Sequence, residues 1–262
     1  MTSGPDVSAN LREARMLLDE AAQRGAQLAA LPENFSFMGL SDGDKRRIAE
    51  ADGRGPIQDF LAESARRLGI WIVGGTVPLA AGGDGRVAAA CLVHDSAGER
   101  RARYDKIHLF DIQVPGRTES HRESANVAPG STPVVVDTPV GRLGLSVCYD
   151  VRFPELFRKL SAQGAELLAV PSAFTEPTGR AHWETLLRAR AIENLCCLIA
   201  PAQSGFHPSG RETYGDSMIV DHWGRVLERL PRGRGCITAE IDLERQRRDR
   251  DSFPSLTHRV LH

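Results

Sequence analysis

The sequence predicts a single α/β domain over residues 1–262, with mixed sheets and helices on the outside. Apolar strand-like runs alternate with amphipathic helices in the middle of the chain, and paired strand-like runs occupy the flanks. The run 195–200 is apolar throughout, as is typical of a strand covered on both faces. No repeat or linker divides the 262 residues, which suffice for one large core.

The elements of the first half follow from apolar spacing and glycine. Leucine and alanine recur at helical spacing from about Val7 to Arg24, and Gly25 is expected to end that helix. The next predicted elements are a strand over 26–31, a helix over 58–68, and strands over 70–74 and 86–94, the last followed by a turn at 95–98.

The second half predicts a longer series of strands and helices. Strands are expected at 133–138, 143–147, 167–170, 196–200, 217–220, 225–229 and 236–241, and helices at 153–163 and 181–193. The helical spacing of Leu186, Leu187, Ala191 and Ile192 predicts core positions. The run 244–251 mixes charge signs, which predicts a solvated helix and not a nucleic-acid site.

Composition excludes several classes of protein. The formal net charge is −1, so neither nucleic acid nor an acidic membrane is an expected partner. Apolar runs are too short to span a membrane, and the chain opens without a leader pattern, so we expect a cytoplasmic protein. The five cysteines lack disulfide or zinc-ligand spacing, and nothing indicates a metal or an organic cofactor.

Lysine is rare in this chain. Thirty arginines accompany Lys45, Lys106 and Lys159, a bias that indicates a GC-rich bacterial genome. Lys45 and Lys159 lie among other charges and are interpreted as solvated. Lys106 lies beside apolar residues and is the candidate for chemistry.

Cys148 is the candidate nucleophile. A predicted buried strand ends there, and Pro154 begins the next helix, so the thiol is expected near the positive end of a helix dipole, which favours the thiolate. The alternative is a small apolar side chain buried at the end of a strand.

Two further residues complete a set suited to acyl transfer. Glu33 follows an apolar strand, where partial burial would raise its pKa towards that of a general base; a solvated loop glutamate is the alternative. Lys106 could stabilise an oxyanion or simply pair with Asp105 or Asp111.

Three segments resemble the signatures of the nitrilase superfamily of carbon–nitrogen hydrolases. They are Leu31-Pro32-Glu33, the run 104–110 (Tyr-Asp-Lys-Ile-His-Leu-Phe) and the run 148–155 (Cys-Tyr-Asp-Val-Arg-Phe-Pro-Glu), in the order of that family. The resemblance implies a four-layer αββα sandwich, a homodimer, a Cys148 nucleophile, a Glu33 base and a Lys106 cation. It also implies that Glu123 orients Lys106 and that the Tyr149 backbone N–H shares the oxyanion with Lys106.

The implied reaction is hydrolysis of a small-molecule amide to an acid and ammonia through a thioester. Residues 31–38, 174–184 and 214–218 most resemble the deaminated glutathione amidases of the amidase branch. Omega-amidases, which share Phe110-Asp111 and Val114-Pro115-Gly116, are the near alternative. Two further hypotheses remain: a hydrolase of carbamoyl or aliphatic amides, and an inactive scaffold that binds a partner. Polar residues near the signatures that could bind an acidic substrate are Arg152, Thr178, Arg180 and His182.

Two departures from the family pattern stand out. Family members open with a strand of the type Val-Ala-Val-x-Gln; by the resemblance it would lie before Met1, and we expect it to be missing from this sequence. His222 occupies a position where proline is usual, and we expect it to alter a turn and little else.

Overall fold

The computed structural model describes residues 1–113 and 120–260. The helices within these residues are α1 (Val7–Gln23), α2 (Pro56–Leu68), α3 (Pro154–Ala162), α4 (Glu176–Asn194) and α5 (Leu243–Ser252). The strands of the first half are β1 (Leu28–Leu31), β2 (Trp71–Gly74), β3 (Val77–Ala80), β4 (Val87–His94), β5 (Arg100–Asp105), β6 (Asp111–Gln113) and β7 (Ser120–Arg122). Those of the second half are β8 (Val135–Thr138), β9 (Gly141–Leu145), β10 (Leu167–Ala169), β11 (Cys197–Ala200), β12 (Ser204–Phe206), β13 (Glu212–Tyr214), β14 (Ser217–Val220) and β15 (Val226–Leu230).

Two large mixed sheets organise the domain. The first sheet has the order β1-β2-β4-β3, and β5 pairs with the other side of β4. Strands β1 and β2 are parallel, while β4 is antiparallel to its neighbours. The second sheet has the order β15-β14-β11-β10-β9-β8, with a parallel centre of β9, β10 and β11. Mixed sheets of this kind were expected from the sequence.

The two sheets pack face to face between two helical layers. Helices α1 and α2 cover the first sheet, and α3 and α4 cover the second. The apolar core between the sheets joins Val73 and Val93 of the first to Leu145 and Leu168 of the second. Layers of helix, sheet, sheet and helix make the four-layer αββα sandwich, so the predicted fold class is confirmed.

Most predicted elements are confirmed, with small shifts at their ends. Asp6 caps the start of helix α1, because its side chain accepts a hydrogen bond from Ala9 N–H, and Gly25 follows the helix with φ of +83°. Helix α4 starts five residues earlier than predicted, because Pro177 fits the first turn of a helix. Strand β5 was missed because four of its six residues are charged.

The predicted strand at 236–241 is wrong. These residues form no ladder and lie along a groove of about 720 Å³ beside β1. In the described part of the chain β1 pairs only with β2, so its other edge faces this groove. Apolar side chains of both sheets line the groove, including Leu28, Ala30, Ile199 and Met218. The family strand expected before Met1 stays a prediction.

The surface differs from the sequence-based expectation at three positions. Ile192 was placed in the core but is 47% exposed, whereas Leu187 and Ala191 are buried. His222 does more than alter a turn, because its buried ring contacts Asp249 of α5 at 2.7 Å. Helix α5 was predicted to be solvated, yet its Gln246 is fully buried and donates to Glu166 O and Leu195 O. No helix in the described residues is long and apolar enough to cross a membrane.

Candidate active site

Cys148 stands at a sharp turn beyond the end of β9. It opens a 3₁₀ helix over Cys148–Arg152, and its φ of +49° lies in the left-handed region that a side chain rarely adopts. The Cys148 N–H donates to Pro171 O, which fixes the turn against the segment after β10. Residues held in a rarely populated backbone conformation by their neighbours are common at active sites.

Glu33 follows β1 at the same edge of the sandwich. Its Oε2 accepts a hydrogen bond from the Ala173 N–H at 2.9 Å, and the side chain is buried. The next residue, Asn34, has φ of +57°, and its N–H donates to Thr76 Oγ1. The backbone therefore turns immediately after Glu33 and directs the carboxylate between the two sheets.

Lys106 joins the two carboxylates of the site. It follows β5, and its Nζ donates to Glu33 Oε1 at 2.9 Å and to Glu123 Oε2 at 2.9 Å. The alternative partners suggested by the sequence are engaged elsewhere, because Asp105 pairs with Arg103 and Asp111 accepts from Ser124 N–H. Cys148 and Glu33 line one cleft, and Cys148 is close enough to the Glu33 carboxylate for each group to shift the pKa of the other. The structure thus brings together Glu33, Lys106, Glu123 and Cys148.

Asp150 ties the Cys148 turn to the segment that carries Lys106. Its fully buried carboxylate accepts from Tyr104 Oη at 2.7 Å, His108 N–H at 3.0 Å and Val147 N–H at 2.8 Å. His108 Nδ1 also lies 2.7 Å from it. One carboxylate therefore links residues from the first sheet to the turn of the second.

The electrostatics of the cluster assign a resting protonation state. Burial would raise the pKa of Glu33, but Lys106 and Lys45 outweigh it and hold that pKa below its ordinary value. Burial raises the pKa of the Cys148 thiol, and the Glu33 carboxylate adds to the effect. Burial would lower the pKa of Lys106, but Glu123 and Glu33 hold it well above its usual range. The free site therefore holds a thiol, an ammonium and an ionised Glu33.

This state corrects two expectations. The sequence predicted a Glu33 pKa raised by burial, and the neighbouring cations reverse that direction. It also predicted a thiolate favoured by a helix dipole, but the cost of burying a charge beside a carboxylate dominates at Cys148. Burial likewise raises the pKa of Cys91 and Cys196 to about 12, so a raised thiol pKa does not single out Cys148.

A narrow cleft with a volume of about 40 Å³ leads to this cluster. Phe110, Tyr149 and Phe174 form apolar parts of its lining, and Thr178 lies at the start of α4. Within the described part of the chain, the Tyr149 N–H has no backbone acceptor, as is usual in the first turn of a helix. That donor and the Lys106 ammonium are the groups that could hold an oxyanion.

Of the four residues suggested for substrate binding, only Thr178 is among those that line the cleft. Arg152 stacks over the Phe174 ring and contacts His182 Nδ1 at 3.2 Å. Arg180 pairs with Glu176 one helical turn away and is 74% exposed. Because α4 starts earlier than predicted, Arg180 and His182 fall on its outer surface.

Sequence reasoning missed several residues of the cleft. Lys45 was interpreted as a solvated charge, but it is half-buried and lines the cleft with Asn34, Asn126 and Arg211. The scarcity of lysine that singled out Lys106 applied equally to Lys45 and was the available signal. No group of three His, Cys, Asp or Glu side chains positioned for a metal occurs in the described residues.

The model of the carbon–nitrogen hydrolase family matches residues 1–251. The chain belongs to the carbon–nitrogen hydrolase family. Its members hydrolyse carbon–nitrogen bonds other than peptide bonds, and this family member is a hydrolase of that class. The family resemblance inferred from the three signature segments is confirmed.

Curated relatives of this carbon–nitrogen hydrolase include deaminated glutathione amidases. The chain is 46% identical to the deaminated glutathione amidase of Synechocystis sp.; the match covers 99% of this chain and 96% of that relative. The chain is 42% identical to the deaminated glutathione amidase of Yersinia enterocolitica; the match covers 98% of this chain and 90% of that relative.

Solved structures of the family share the fold. The NitFhit protein of Caenorhabditis elegans has a TM-score of 0.92 and 42% identity, covering 99% of this chain and 63% of that one. Nit3 of Saccharomyces cerevisiae, a member of branch 10 of the nitrilase superfamily, has a TM-score of 0.88 and 29% identity. The match covers 99% of this chain and 93% of that one.

Proposed function

We propose that this hydrolase cleaves the amide of deaminated glutathione, with Cys148 as nucleophile, Glu33 as general base and acid, and Lys106 as oxyanion donor. The observation that supports these roles is the bridge from Glu33 through Lys106 to Glu123, in a cleft that Cys148 also lines. Relatives at 42% and 46% identity with this name support the substrate.

The first half-reaction forms a thioester. Glu33 takes the proton of the Cys148 thiol as sulfur attacks the amide carbonyl carbon. The Lys106 ammonium and the Tyr149 N–H hold the tetrahedral oxyanion; removal of one such donor typically costs about 10²–10³ in rate. The carbon–nitrogen bond then breaks, and Glu33 returns the proton to the leaving nitrogen.

The second half-reaction releases the acid. Glu33 takes a proton from water as its oxygen attacks the thioester, the carbon–sulfur bond breaks, and the proton returns to Cys148. Glu123 holds Lys106 from the side opposite Glu33 and accepts from Phe110 N–H at 2.7 Å, which fixes its own position. None of these steps uses a group from outside the chain other than water.

The leaving group distinguishes the candidate substrates. A primary amide such as 2-oxoglutaramate releases ammonia, whereas the amide of deaminated glutathione is secondary and releases cysteinylglycine. The sequence-based expectation of ammonia therefore applies to the omega-amidase alternative. The Val114-Pro115-Gly116 part of that resemblance lies outside the described residues.

The test is product release by purified protein from deaminated glutathione, from 2-oxoglutaramate and from simple aliphatic and carbamoyl amides. We expect the highest kcat/KM with deaminated glutathione, abolished in Cys148→Ala and retained in Cys236→Ala, whose half-exposed thiol lies outside the cleft. Higher kcat/KM with 2-oxoglutaramate would assign an omega-amidase. Absence of turnover with every amide in a folded protein would favour the inactive scaffold.

We further propose a cytoplasmic homodimer. The described cysteines are all free thiols, as suits a reducing compartment. Ile192, Trp223 and Phe253 are each about half exposed and adjoin one another: the two aromatic rings lie 5.6 Å apart, and Ile192 packs on Gly224. An apolar patch of this kind on a soluble family member supports association with a second copy.

Sedimentation measurements test the dimer. Trp223→Glu is expected to yield a monomer, while Phe206→Glu, at a 72% exposed apolar side chain outside this patch, leaves the mass unchanged. A dimer that survives Trp223→Glu would place the interface elsewhere.

A further inference from the structure

Gly179 of α4 lies against the side chain of Tyr214, at the end of β13. A Cβ atom added to Gly179 would lie 2.3 Å from Tyr214 Cβ and 2.4 Å from its Cγ, which is closer than side-chain atoms approach one another. Glycine inside a helix costs about 1 kcal/mol relative to alanine, so its presence here indicates a packing requirement. Gly179 is buried and follows Thr178, which lines the cleft. The contact between Gly179 and Tyr214 therefore sets how closely the start of α4 approaches β13.

The turn after Tyr214 is anchored from the second sheet. Gly215 and Asp216 have positive φ values of +82° and +63°. Asp216 is not a glycine, so it keeps this conformation only where its surroundings hold it. Its buried carboxylate accepts two hydrogen bonds from the Arg229 guanidinium of β15, and its carbonyl O accepts from Trp183 Nε1 at 2.7 Å. Tyr214 is thus a fixed support for α4.

Strand β13 also holds the segment that contacts Glu33. The Tyr214 N–H donates to Phe174 O at 2.9 Å, and β13 forms an isolated antiparallel bridge with Thr175. The residue before Phe174 is Ala173, whose N–H donates to Glu33 Oε2 at 2.9 Å. Since this segment runs directly into α4, a shift of the start of α4 also shifts the donor to Glu33. Contacts therefore lead from Tyr214 to the carboxylate without a gap.

Resting on the proposed function, we propose that Tyr214 and Gly179 are positioning residues, whose contact keeps the Ala173 N–H where it aligns the Glu33 carboxylate in the cleft that Cys148 lines. Neither Tyr214 nor Gly179 is among the residues that line the cleft, so their effect on the reaction passes through residues 173–178. Misplacement of a reacting group by about 1 Å can cost about 100-fold in rate. The distance between α4 and β13 then determines the alignment of the base.

The test compares Gly179→Ala in two backgrounds. In the wild type it should lower kcat for the fastest amide of the product-release panel by about 10–100-fold and change KM by less than about threefold. In Glu33→Gln the same substitution should cost no more than about twofold, because a residue that acts through Glu33 loses its effect when that side chain cannot take a proton. Gly43→Ala is the matched control, since a Cβ there would meet only Asn126 Oδ1, at 3.6 Å.

Two variants of Tyr214 support this comparison. Tyr214→Gly removes the atoms that a Cβ at position 179 would meet, so Gly179→Ala combined with Tyr214→Gly should regain part of the lost kcat. Tyr214→Ala loosens the contact without a clash and should lower kcat by about tenfold. It provides the same comparison if Gly179→Ala does not fold.

Amide exchange at Ala173 tests the positioning without turnover. In NMR spectra of isotope-labelled protein, exchange of the Ala173 N–H should become about tenfold faster in Gly179→Ala, as in Glu33→Ala, and stay unchanged in Gly43→Ala. Unchanged exchange at Ala173, or an equal loss of kcat in the wild-type and Glu33→Gln backgrounds, would overturn the inference. Faster exchange in an enzyme that hydrolyses none of the amides would support the positioning contact while the proposed function fails.

Discussion

The strands that lead to Cys148 and Glu33, the proposed nucleophile and base, differ in how they are held. Strand β9, which leads to Cys148, pairs with β8 on one side and with β10 on the other. Strand β1, which leads to Glu33, pairs only with β2 among the described strands and has the groove at its free edge. Within the described residues, Cys148 therefore follows a strand paired on both sides, and Glu33 follows a strand paired on one side.

Buried polar contacts hold the backbone around Glu33. Gln203 Nε2 donates to Glu33 O at 3.1 Å and to Ser3 Oγ at 2.7 Å. Ser3 Oγ donates to Phe35 O, and Ser204 N–H donates to Met1 O. The contrast shows that a strand paired on one side can position a buried carboxylate when polar contacts from the segment that follows β11 hold its end.

Replacement of the nucleophile should have the largest effect. Cys148→Ala removes the only group that can form the thioester in the proposed mechanism, so turnover should fall by about 10⁴-fold or more. Thermal unfolding should change little, because the substitution is small and β9 stays paired. Substantial residual acid release by a folded variant would exclude Cys148 as nucleophile.

Replacement of the base should be severe but incomplete. Glu33→Gln keeps an acceptor for the Ala173 N–H but cannot take the thiol proton, so kcat should fall by about 10²–10⁴-fold. Glu123→Gln changes the other carboxylate that contacts Lys106; its kcat should fall less, and it serves as the comparison. An equal loss in both variants would mean that the charge on Lys106, not proton transfer, limits the reaction.

Loss of the carboxylate that links the two sheets should affect stability as well as rate. Asp150→Ala leaves Tyr104, His108 and Val147 donors buried without an acceptor, a cost of about 3 kcal/mol. Tm should then fall by about 6–12 °C. Asp150→Asn keeps an acceptor, so its Tm should fall less. An unchanged Tm in Asp150→Ala would show that the strands position the Cys148 turn and the Lys106 segment without this link.

An added strand should stabilise the edge. A short extension of alternating apolar residues before Met1 can pair with β1 and fill the groove, which should raise Tm by about 5 °C. An extension of glycine and serine with equal length is the control. If both extensions act alike, the free edge of β1 does not limit stability.

The pH profile should reflect the base. Because the pKa of Glu33 is held below its ordinary value, the carboxylate is lost only as pH falls below about 4.5, and the acid limb of kcat/KM should lie there. The raised pKa values of Cys148 and Lys106 predict no alkaline limb below pH 9. Circular dichroism at each pH separates titration from unfolding, and an acid limb near pH 6 would contradict the assigned Glu33 charge.

Local patterns in the sequence were sufficient for most of the fold. Helical spacing located α1, α2 and α3, and apolar runs located β2, β4, β10 and β14. The same patterns failed where pairing partners decide the outcome: 236–241 is apolar enough for a strand but finds no ladder, and the charged β5 becomes a strand because β4 lies beside it. Strand formation depends on a neighbour that a single segment does not reveal.

For the site, the sequence by itself determined which residue types carry the chemistry and in what order. Glu33, Lys106 and Cys148 each follow a strand, and their segments identify the family. Only the tertiary structure decided the charge of each group, because a pKa depends on burial and on cations from distant segments. It also decided that Lys106 pairs with two carboxylates, since that depends on which segments the fold brings to one edge.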